Sequence, residues 1–461
     1  MLILQKIFFF ILNMDKFMNC KLPKLILVSM ALTLLSLFSC EEDKDFIALS
    51  ENIKLSLINN NENVEARWSL AKLPQFTEYR LIRSLDKNDY KNSGGYYQSS
   101  QVVYTSNNFY DHQHIDMQAS KLGMNYYWVE ARCSHPCGYE QVVKSNIDSI
   151  NIGNYTAFNS FPRSVIHNSD EDLLGFIDDS GQFTLYNYTL KKIIGKIDVS
   201  YNDCYPAFGK FGNNWELYIP APNGMIRIYD APSMTLKETI QINNYQYIYC
   251  IVPDNEGRLY VNCRGEGDIY KVDRATGIST FFIEKYGYEN FHMSLSPHSK
   301  RLIHKEDESY SRIYSYQIND NGDYAATSNS YYYSGYSYPA SIPESFSGIV
   351  YILPEPKALI SHSMTAWNVN LPAAQDIAFK DNQNYKYLAP FNAQYIIEYD
   401  AYDKQRHIDT PGYPIYVFSD ENKLIVLFSD KNTNYDEAEY NVHTKGYSTN
   451  TPFGIAVINV N

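Results

Sequence analysis

The sequence contains few of the short motifs that mark catalytic or nucleotide-binding sites. The stretch Gly265-Glu266-Gly267 begins like a dinucleotide fingerprint but continues into the strand-like Asp268-Ile269-Tyr270. Such a fingerprint must open a helix whose N-terminus meets the pyrophosphate, so a hairpin turn is the better interpretation. The sequence has no Gly-x-Ser-x-Gly elbow, no His-Glu-x-x-His zinc helix and no phosphate loop ending in Gly-Lys-Ser/Thr. We therefore name no catalytic residue and expect no cofactor, which favours binding over catalysis.

One loop has the alternating oxygen ligands that calcium requires. Residues 430–436 read Asp-Lys-Asn-Thr-Asn-Tyr-Asp, and Glu437 follows. A calcium loop of this kind needs glycine at its sixth position and glutamate at its twelfth, where this chain has Tyr435 and Asn441. We therefore predict no metal site, and the calcium content of the loop near Asp430 is left open.

The densest aromatic patch lies between Ser330 and Pro339. Tyrosine combines a flat apolar face with a polar tip, which suits stacking on sugars or a contact with a protein partner. An equally good interpretation is a strand whose alternate rings pack inside the fold. The candidate ligand-binding residues are Tyr331, Tyr332, Tyr333, Tyr336 and Tyr338.

Composition indicates a large folded chain and excludes some partners. The 461 residues are 44% hydrophobic and 20% charged, which excludes disorder and suggests more than one domain. The formal net charge of −13 argues against nucleic acid, because binding to phosphate backbones requires clustered cations. The 43 tyrosines fit β-rich structure.

The N-terminal forty residues indicate export. Lys21 and Lys24 precede an apolar run, residues 25–38, that is too short to span a bilayer. Its end, Leu37-Phe38-Ser39-Cys40, resembles the lipobox of bacterial lipoproteins. The resemblance implies a signal peptide over 1–39 and a lipidated Cys40 as the mature N-terminus. Met1, Met14 and Met18 are alternative starts, and the composition of the flanking residues favours Met18.

The residues after Cys40 form an acidic tether, 40–46, that contains Glu41-Glu42-Asp43-Lys44-Asp45. This run resembles the surface-export signal of lipoproteins in the Bacteroidota, although a solvated linker without a sorting role is an alternative. The resemblance implies an outer-membrane protein held by its lipid and exposed at the cell surface.

Residues 47–152 show short alternating segments and predict a β-sandwich. In the segment 64–68, Trp68 is able to point inward, and 79–84 follows as a second strand. The segment 126–131 places Tyr127, Val129 and Ala131 on one face. Their order and spacing resemble strands B, C and F of a fibronectin type III domain, with residues 142–152 supplying strand G. The resemblance implies that both aromatic residues belong to the core.

Two cysteines follow the third of these segments, in Cys133-Ser134-His135-Pro136-Cys137. The surface of the cell is oxidising, so we expect a local disulfide between Cys133 and Cys137 if the loop brings their Cα atoms within about 7 Å. A zinc site would need two further ligands, which the sequence does not supply nearby.

Residues 153–461 contain a repeat of about forty-three residues. Strand-like segments end at Asn187, Asp230 and Asp273, which are spaced 43 and 43 residues apart. The repeat continues in four further segments: 312–317, 367–370, 395–400 and 454–459. Several strands per repeat predict the blades of a β-propeller, because one blade cannot bury both faces alone. The pattern resembles WD40-like or YVTN-like propellers, without the Gly-His and Trp-Asp dipeptides of WD40 repeats.

The sequence thus predicts an all-β chain: a fibronectin type III-like sandwich followed by a propeller of about seven blades, with six or eight as alternatives. Loops from several blades meet at one end of a propeller, so a site there leaves no linear motif. We expect recognition of a glycan or protein partner without catalysis, with the membrane contacted through the N-terminal lipid. The alternatives are a propeller enzyme acting on glycans or lactones and a structural module of an outer-membrane complex.

Overall fold

The computed structural model describes most of the chain beyond Ile53. The described ranges are 53–60, 62–73, 75–91, 100–134, 140–199, 204–242, 247–254, 256–263, 268–283, 291–296, 300–306, 312–325, 329–332, 349–360, 363–380, 385–434 and 445–460. The predicted signal peptide, Cys40 and the tether lie outside them. Within these ranges every regular element is a β-strand or a short 3-10 helix, so the described chain is all-β, as predicted. No helix in this part of the chain has the length and apolarity to cross a membrane.

The described residues divide into two compact units. The first contains the residues up to Ala119 together with Met124–Ile150. The second contains Ser120–Gly123 and the residues from Asn151 onward.

The first unit consists of two antiparallel sheets. Its strands are β1 Leu55–Asn60, β2 Asn63–Trp68, β3 Phe76–Ser84, β4 Ser100–Ser106, β5 Gln113–Asp116, β6 Asn125–Ser134, β7 Glu140–Lys144 and β8 Asp148–Ile150, with a 3-10 helix at Lys87–Lys91. One sheet has the order β1-β2-β5, and the other has the order β4-β3-β6-β7, with β8 also paired to β6. Strand β2 buries Val64, Ala66 and Trp68 on one face, the period of two that a half-buried strand requires.

The core of this unit holds the aromatic residues that the sequence placed inside. Trp68 is buried, and its ring centroid lies 6.0 Å from that of the buried Tyr79. Tyr127 is fully buried and its hydroxyl donates to Asp116 Oδ2 at 2.9 Å, while Arg83 Nη1 donates to the same oxygen at 2.7 Å. The buried carboxylate is therefore both paired and hydrogen-bonded, which offsets its desolvation.

The second unit begins with β9 Ala157–Phe158 and continues with four sheets of four strands. Sheet I contains β10 Pro162–Asn168, β11 Leu173–Asp178, β12 Gln182–Asn187 and β13 Lys192–Asp198. Sheet II contains β14 Ala207–Phe211, β15 Asn214–Ala221, β16 Met225–Asp230 and β17 Thr235–Gln241. Sheet III contains β18 Ile248–Pro253, β19 Arg258–Cys263, β20 Ile269–Asp273 and β21 Ser279–Ile283. Sheet IV contains β22 Phe291–Ser296, β23 Arg301–Glu306, β24 Arg312–Gln317 and β25 Asn329–Tyr332. Short 3-10 helices lie at Ser169–Glu171 and Pro222–Gly224.

Three further sheets complete the described part of this unit. Sheet V contains β26 Ile349–Ile352, β27 Lys357–Ile360 and β28 Ala366–Asn368. Sheet VI contains β29 Ala374–Lys380, β30 Tyr385–Pro390, β31 Tyr395–Tyr399 and β32 Gln405–Asp409. Sheet VII contains β33 Tyr413–Asp420, β34 Lys423–Ser429 and β35 Phe453–Asn459, and its fourth strand is β9.

Buried apolar clusters connect each sheet to the next and the last sheet to the first. The clusters between I and II, II and III, and III and IV include the pairs Leu185 and Leu217, Ile228 and Leu259, and Val252 and Leu302. Those between IV and V, V and VI, and VI and VII include Ile303 and Val350, Tyr351 and Ile377, and Ala378 and Val417. Ile425 of VII packs in one cluster with Phe176 of I. The sheets therefore form a closed ring, which is the arrangement of a β-propeller.

The first strand of each sheet lies toward the inside of this ring. First strands contact the first strand of the neighbouring sheet, as β14 contacts β18 and β29 contacts β33. The fourth strands β17 and β32 are mostly exposed, in contrast to the buried second and third strands. The ring is closed by β9, whose Phe158 pairs with Phe453 near the C-terminal end of the chain.

The repeat read from the sequence coincides with the third strands of the sheets. Strands β12, β16 and β20 end at Asn187, Asp230 and Asp273, the positions spaced by 43 residues. Each side chain then caps the following turn: Asp273 Oδ1, for example, accepts from Thr276 N and Thr276 Oγ1, both at 2.8 Å. A short polar side chain that satisfies turn amides is the reason these positions recur.

Candidate functional site

Four first strands of the ring contain a β-bulge near their start. The register shifts at Arg163 in β10, Tyr249 in β18, Gln375 in β29 and Ile415 in β33. These positions lie at the same end of the ring, which we call the entry face: the end at which the first strands begin. A bulge removes backbone groups from the ladder and re-aims a side chain, and bulges are common next to binding sites.

On one side of the entry face, three sheets bring together an aromatic group. Tyr205, just before β14, has its ring centroid 4.3 Å from that of His292 in β22 and 5.3 Å from that of Tyr249 in β18. Tyr249 is buried, whereas Tyr205 and His292 are partly exposed. The bulge orders this group, since Tyr205 N donates to Tyr249 O at 2.7 Å and Tyr205 bridges to Cys250. Tyr205 therefore lies on the inner edge of sheet III.

On the other side of the entry face, one buried lysine binds two bulges. Lys445 Nζ donates to Gln375 O at 2.7 Å and to Ile415 O at 3.0 Å. The ammonium also lies 3.6 Å from the centre of the Tyr416 ring, a cation–π contact. Lys445 thus satisfies carbonyl groups that the bulges remove from the strand ladders of sheets VI and VII.

Burial lowers the pKa of Lys445 from its ordinary 10.5 to about 8, although the nearby carboxylate of Asp376 favours the charged form. Asp376 is itself buried and its Oδ2 accepts from Val417 N at 3.0 Å. Burial, followed by the charge of Asp376, raises the pKa of Tyr416. The ammonium group of Lys445 is therefore buried and its hydrogen bonds are made to the protein. This arrangement suits a structural role better than proton transfer.

The segment that carries Lys445 is packed against sheet I. The Tyr447 ring stacks on Phe161 with centroids 5.0 Å apart, and Phe161 N donates to Thr449 O at 2.9 Å. Gln375 Nε2 contacts the Tyr447 hydroxyl at 3.4 Å. The segment 445–451 therefore joins sheets VI, VII and I, and leaves the aromatic group as the more accessible side of the entry face.

A second buried charge cluster lies between sheets II and III. Glu216 in β15 is fully buried and accepts from Arg274 Nε at 2.7 Å and from Arg274 Nη2 at 3.0 Å. Lys237 and Tyr218 donate to the same carboxylate, and Arg274 Nη1 donates to Glu238 at 2.7 Å. Burial alone would raise the pKa of Glu216, but the hydrogen bonds from Arg274, Lys237 and Tyr218 lower it. This cluster is a structural connection between sheets.

The structure describes two of the five tyrosines predicted to bind a ligand. Tyr331 and Tyr332 lie in β25, the fourth strand of sheet IV. Tyr331 is partly buried and packs against the cluster between sheets IV and V, which agrees with the interpretation of a strand with rings packed inside. Tyr333, Tyr336 and Tyr338 lie outside the described residues. Their ligand-binding role stays a prediction.

The predicted disulfide also stays a prediction, because Cys137 lies outside the described residues. Cys133 does not follow the strand as expected. It is buried within β6 and is paired with Gln141 of β7, since the strand continues for as long as β7 pairs with it. In sheet III, Cys250 pairs with Asn262 in the same register as Ile251 with Val261, and the bulge at Tyr249 shifts only the pair beyond it, Ile248 with Cys263.

The candidate calcium loop begins with a carboxylate that already has protein donors. Asp430 accepts from the Ser120 hydroxyl and from Lys121 N at 3.4 Å. Residues 435–444, which include Tyr435, Glu437 and Asn441, lie outside the described part. Among the described residues no group of three His, Cys, Asp or Glu side chains is arranged to hold a metal ion.

Sequence reasoning missed Tyr205, His292 and Lys445. Each belongs to a different repeat or loop, and none stands in a motif. The only local signal was the aromatic and basic residues close to the start of strands, which is too common to single out a site. Register shifts in the first strands bring these residues to one end of the ring. Those shifts depend on tertiary packing.

Comparisons with known proteins add little to this arrangement. No protein-family model matches the chain, and no curated protein matches it. Among solved structures, the chain is similar to Raptor from Chaetomium thermophilum, with 10% identity and a TM-score of 0.45, over 66% of this chain and 28% of that one. It is also similar to a chain of the Mitotic Checkpoint Complex, with 9% identity and a TM-score of 0.44, over 65% of this chain and 90% of that one. The propeller assignment itself follows from the ring of sheets described above.

Proposed function

We propose that this chain is a non-catalytic recognition protein whose propeller binds a glycan or protein partner at the entry face. The observation that carries the proposal is the group formed by Tyr205, Tyr249 and His292. The rings of Tyr205 before β14, Tyr249 in sheet III and His292 in sheet IV meet there, with centroids 4.3 and 5.3 Å apart around Tyr205. Partly exposed aromatic rings with polar tips provide stacking surface and hydrogen bonds at a small entropic penalty.

Two architectural proposals accompany this function. The seven sheets of the described second unit are the seven blades of the propeller, with β9 completing the last. The first unit is a fibronectin type III-like spacer, over about residues 47–152. Its orders β1-β2-β5 and β4-β3-β6-β7 support this proposal, because they match the two sheets expected when strands B, C and F are β2, β3 and β6.

The location is also a proposal, and it rests on the sequence. Cys40 carries the lipid, residues 1–39 are the signal peptide, and the acidic tether holds the two units outside the cell of a Bacteroidota-type bacterium. Mass spectrometry of the mature chain tests this step: we expect an acylated N-terminal Cys40. A mature chain that begins elsewhere or lacks acyl groups would contradict it.

The binding proposal is tested with the full chain in detergent, on a glycan array and in pull-downs from the surface fraction of the source cells. Any ligand found is then titrated against Tyr205→Ala and His292→Ala. We expect about tenfold or greater weakening for each, because stacked aromatic residues are common binding hot spots. The control is Tyr402→Ala, whose ring is 84% exposed in a turn of sheet VI and should bind as the parent does.

Three outcomes separate the alternatives. Binding that is unaffected by both variants would reject the entry face as the site. Release of a cleaved glycan or lactone product by the parent chain would support the propeller enzyme instead. Absence of binding in both screens would favour a structural module.

A further inference from the structure

Among the residues that the structure describes, one buried arginine of the ring lacks the counter-charge that such residues normally have. Arg301 opens β23 in sheet IV and is only 8% exposed. Its Nη1 donates to Ser315 Oγ at 2.9 Å, whereas its Nε is enclosed and has no hydrogen-bond partner in the described part of the chain. Within the described ranges no carboxylate lies within ion-pair distance of its guanidinium.

The other buried arginine among the described residues is compensated, since Arg274 contacts Glu216 and Glu238. The partly buried Arg83 contacts Asp116 in the same way. An unpaired buried cation is expensive, because removing it from water is not repaid by an opposite charge. Burial accordingly lowers the pKa of Arg301. A guanidinium remains charged even so, since its ordinary pKa is far above neutrality.

The unpaired edge of Arg301 has the donor arrangement of an oxyanion receptor. Ser315 occupies Nη1, so the edge formed by Nε and Nη2 remains for a ligand. Two parallel N–H groups on this edge match two oxygens of one carboxylate. Arg301 pairs with Gln317, and Ile303 pairs with Ser315, so Arg301 shares a strand face with Ile303. That face packs toward Val350 of sheet V.

The position differs from the entry face. Strand β22 ends at Ser296 and β23 begins at Arg301, so Arg301 lies at the end of the ring at which the first strands finish. A ligand here is therefore separate from the partner proposed for Tyr205 and His292.

We propose that Arg301 anchors a carboxylate-binding site between sheets IV and V. The ligand is a small acid that presents one carboxylate to the Nε–Nη2 edge, with Ser315 fixing the orientation of the guanidinium. A carboxylate brings one negative charge and balances the positive charge of Arg301. A phosphate dianion would leave a negative charge buried in a chain whose formal net charge is already −13.

The test is the melting temperature of the full chain in sodium acetate, sodium glucuronate and sodium phosphate, each compared with sodium chloride at equal ionic strength. Ligands that bind only the folded state raise the melting temperature with concentration. We expect concentration-dependent stabilisation by acetate and glucuronate, and less by phosphate. A larger effect of glucuronate than of acetate would support the site and assign the acid to the sugar class.

Three variants make the test specific. Arg301→Met should abolish the response while leaving the melting temperature in chloride equal or higher, because an unpaired buried cation is removed. Arg301→Lys keeps the positive charge but loses the pair of parallel N–H donors, and it should weaken carboxylate binding by about tenfold or more. The matched control is Arg406→Met, which removes one cation from an arginine that is 49% exposed and paired with Glu398, and it should respond as the parent does.

Several results would overturn the proposal. These are the absence of any carboxylate-specific shift in the parent, an equal shift in Arg301→Met, and stronger stabilisation by phosphate than by carboxylates. A melting temperature of Arg301→Met well below that of the parent in chloride would also overturn it, because the guanidinium would then be compensated within the chain. None of these results bears on the entry face.

Discussion

Two buried cations in the ring have different kinds of hydrogen-bond partner. Arg274, between sheets II and III, contacts two carboxylates, and its side chain is 5% exposed. Lys445, at sheets VI and VII, is 2% exposed and donates to two backbone carbonyl oxygens beneath a tyrosine ring. Burial opposes the charge of both, but the hydrogen bonds that Arg274 donates to Glu216 and Glu238 raise its pKa, whereas burial lowers the pKa of Lys445 to about 8.

The difference shows what each kind of partner can do. A carboxylate supplies a full opposite charge, so Arg274 and Glu216 stabilise each other and each depends on the other. Carbonyl dipoles and an aromatic face supply partial charge, which is enough to hold an ammonium but not to restore its ordinary pKa. The paired cluster should therefore be sensitive to mutation, and the lysine should be sensitive to pH.

The largest expected effect is on the paired cluster. Glu216→Gln leaves Arg274 buried against a neutral amide, and we expect the free energy of unfolding to fall by about 3–5 kcal/mol, as for other broken buried pairs. Urea titration of the full chain measures this loss. The double variant Glu216→Met with Arg274→Met should recover most of it. A loss below about 1 kcal/mol in the single variant would contradict the central role of Glu216.

The second effect concerns Lys445 and is a dependence on pH. The folded pKa is depressed, so between about 8 and 10.5 the unfolded chain binds more protons than the folded chain. Stability should therefore rise with pH across this window and level off outside it. We expect the unfolding free energy of the parent, relative to Lys445→Met, to increase by about 3 kcal/mol from pH 8 to above 10.5.

A companion variant sharpens this prediction. Asp376→Asn keeps an oxygen for Val417 N but removes the charge that favours the ammonium. The rise with pH should then begin at a lower pH than in the parent. A difference between the parent and Lys445→Met that stays flat from pH 7 to 11 would show that the lysine is not buried in its charged form.

The smallest effect is expected at the outer carboxylate of the paired cluster. Glu238 is 49% exposed, so its contact with Arg274 is screened by water. We expect Glu238→Gln to lower the unfolding free energy by less than about 1 kcal/mol, measured as for Glu216→Gln. A loss comparable to that of Glu216→Gln would mean that exposure does not separate the two carboxylates.

Much of the fold was predictable because its signals are local. Strands β12, β16 and β20 are recognisable in the sequence by their alternation and by the turn-capping residues Asn187, Asp230 and Asp273. The spacing of 43 residues between these caps predicted a ring of repeated sheets. The core positions of Trp68 and Tyr127 were expected from the resemblance of these alternating segments to a fibronectin type III domain, and both side chains are buried.

The candidate site was not predictable, for a physical reason. It depends on bulges at Tyr249, Gln375 and Ile415, and a register shift of one residue is decided by packing between sheets. The partners of Lys445 are carbonyl oxygens, which carry no side-chain identity in the sequence. The tyrosine run near residue 331 is conspicuous by its density, whereas the loop of Tyr205 has one other tyrosine, Tyr201.

The pairing of Phe158 with Phe453 has a consequence for biosynthesis. Strand β9 emerges from the ribosome long before its neighbour β35, so the first-made strand of the ring must wait without its hydrogen-bonding partner until translation is almost complete. A chain cut short before Phe453 would leave β9 without a partner and β34 with an open edge, and open edges are templates for self-association. Nascent or truncated chains should therefore depend on a chaperone more than the finished protein does.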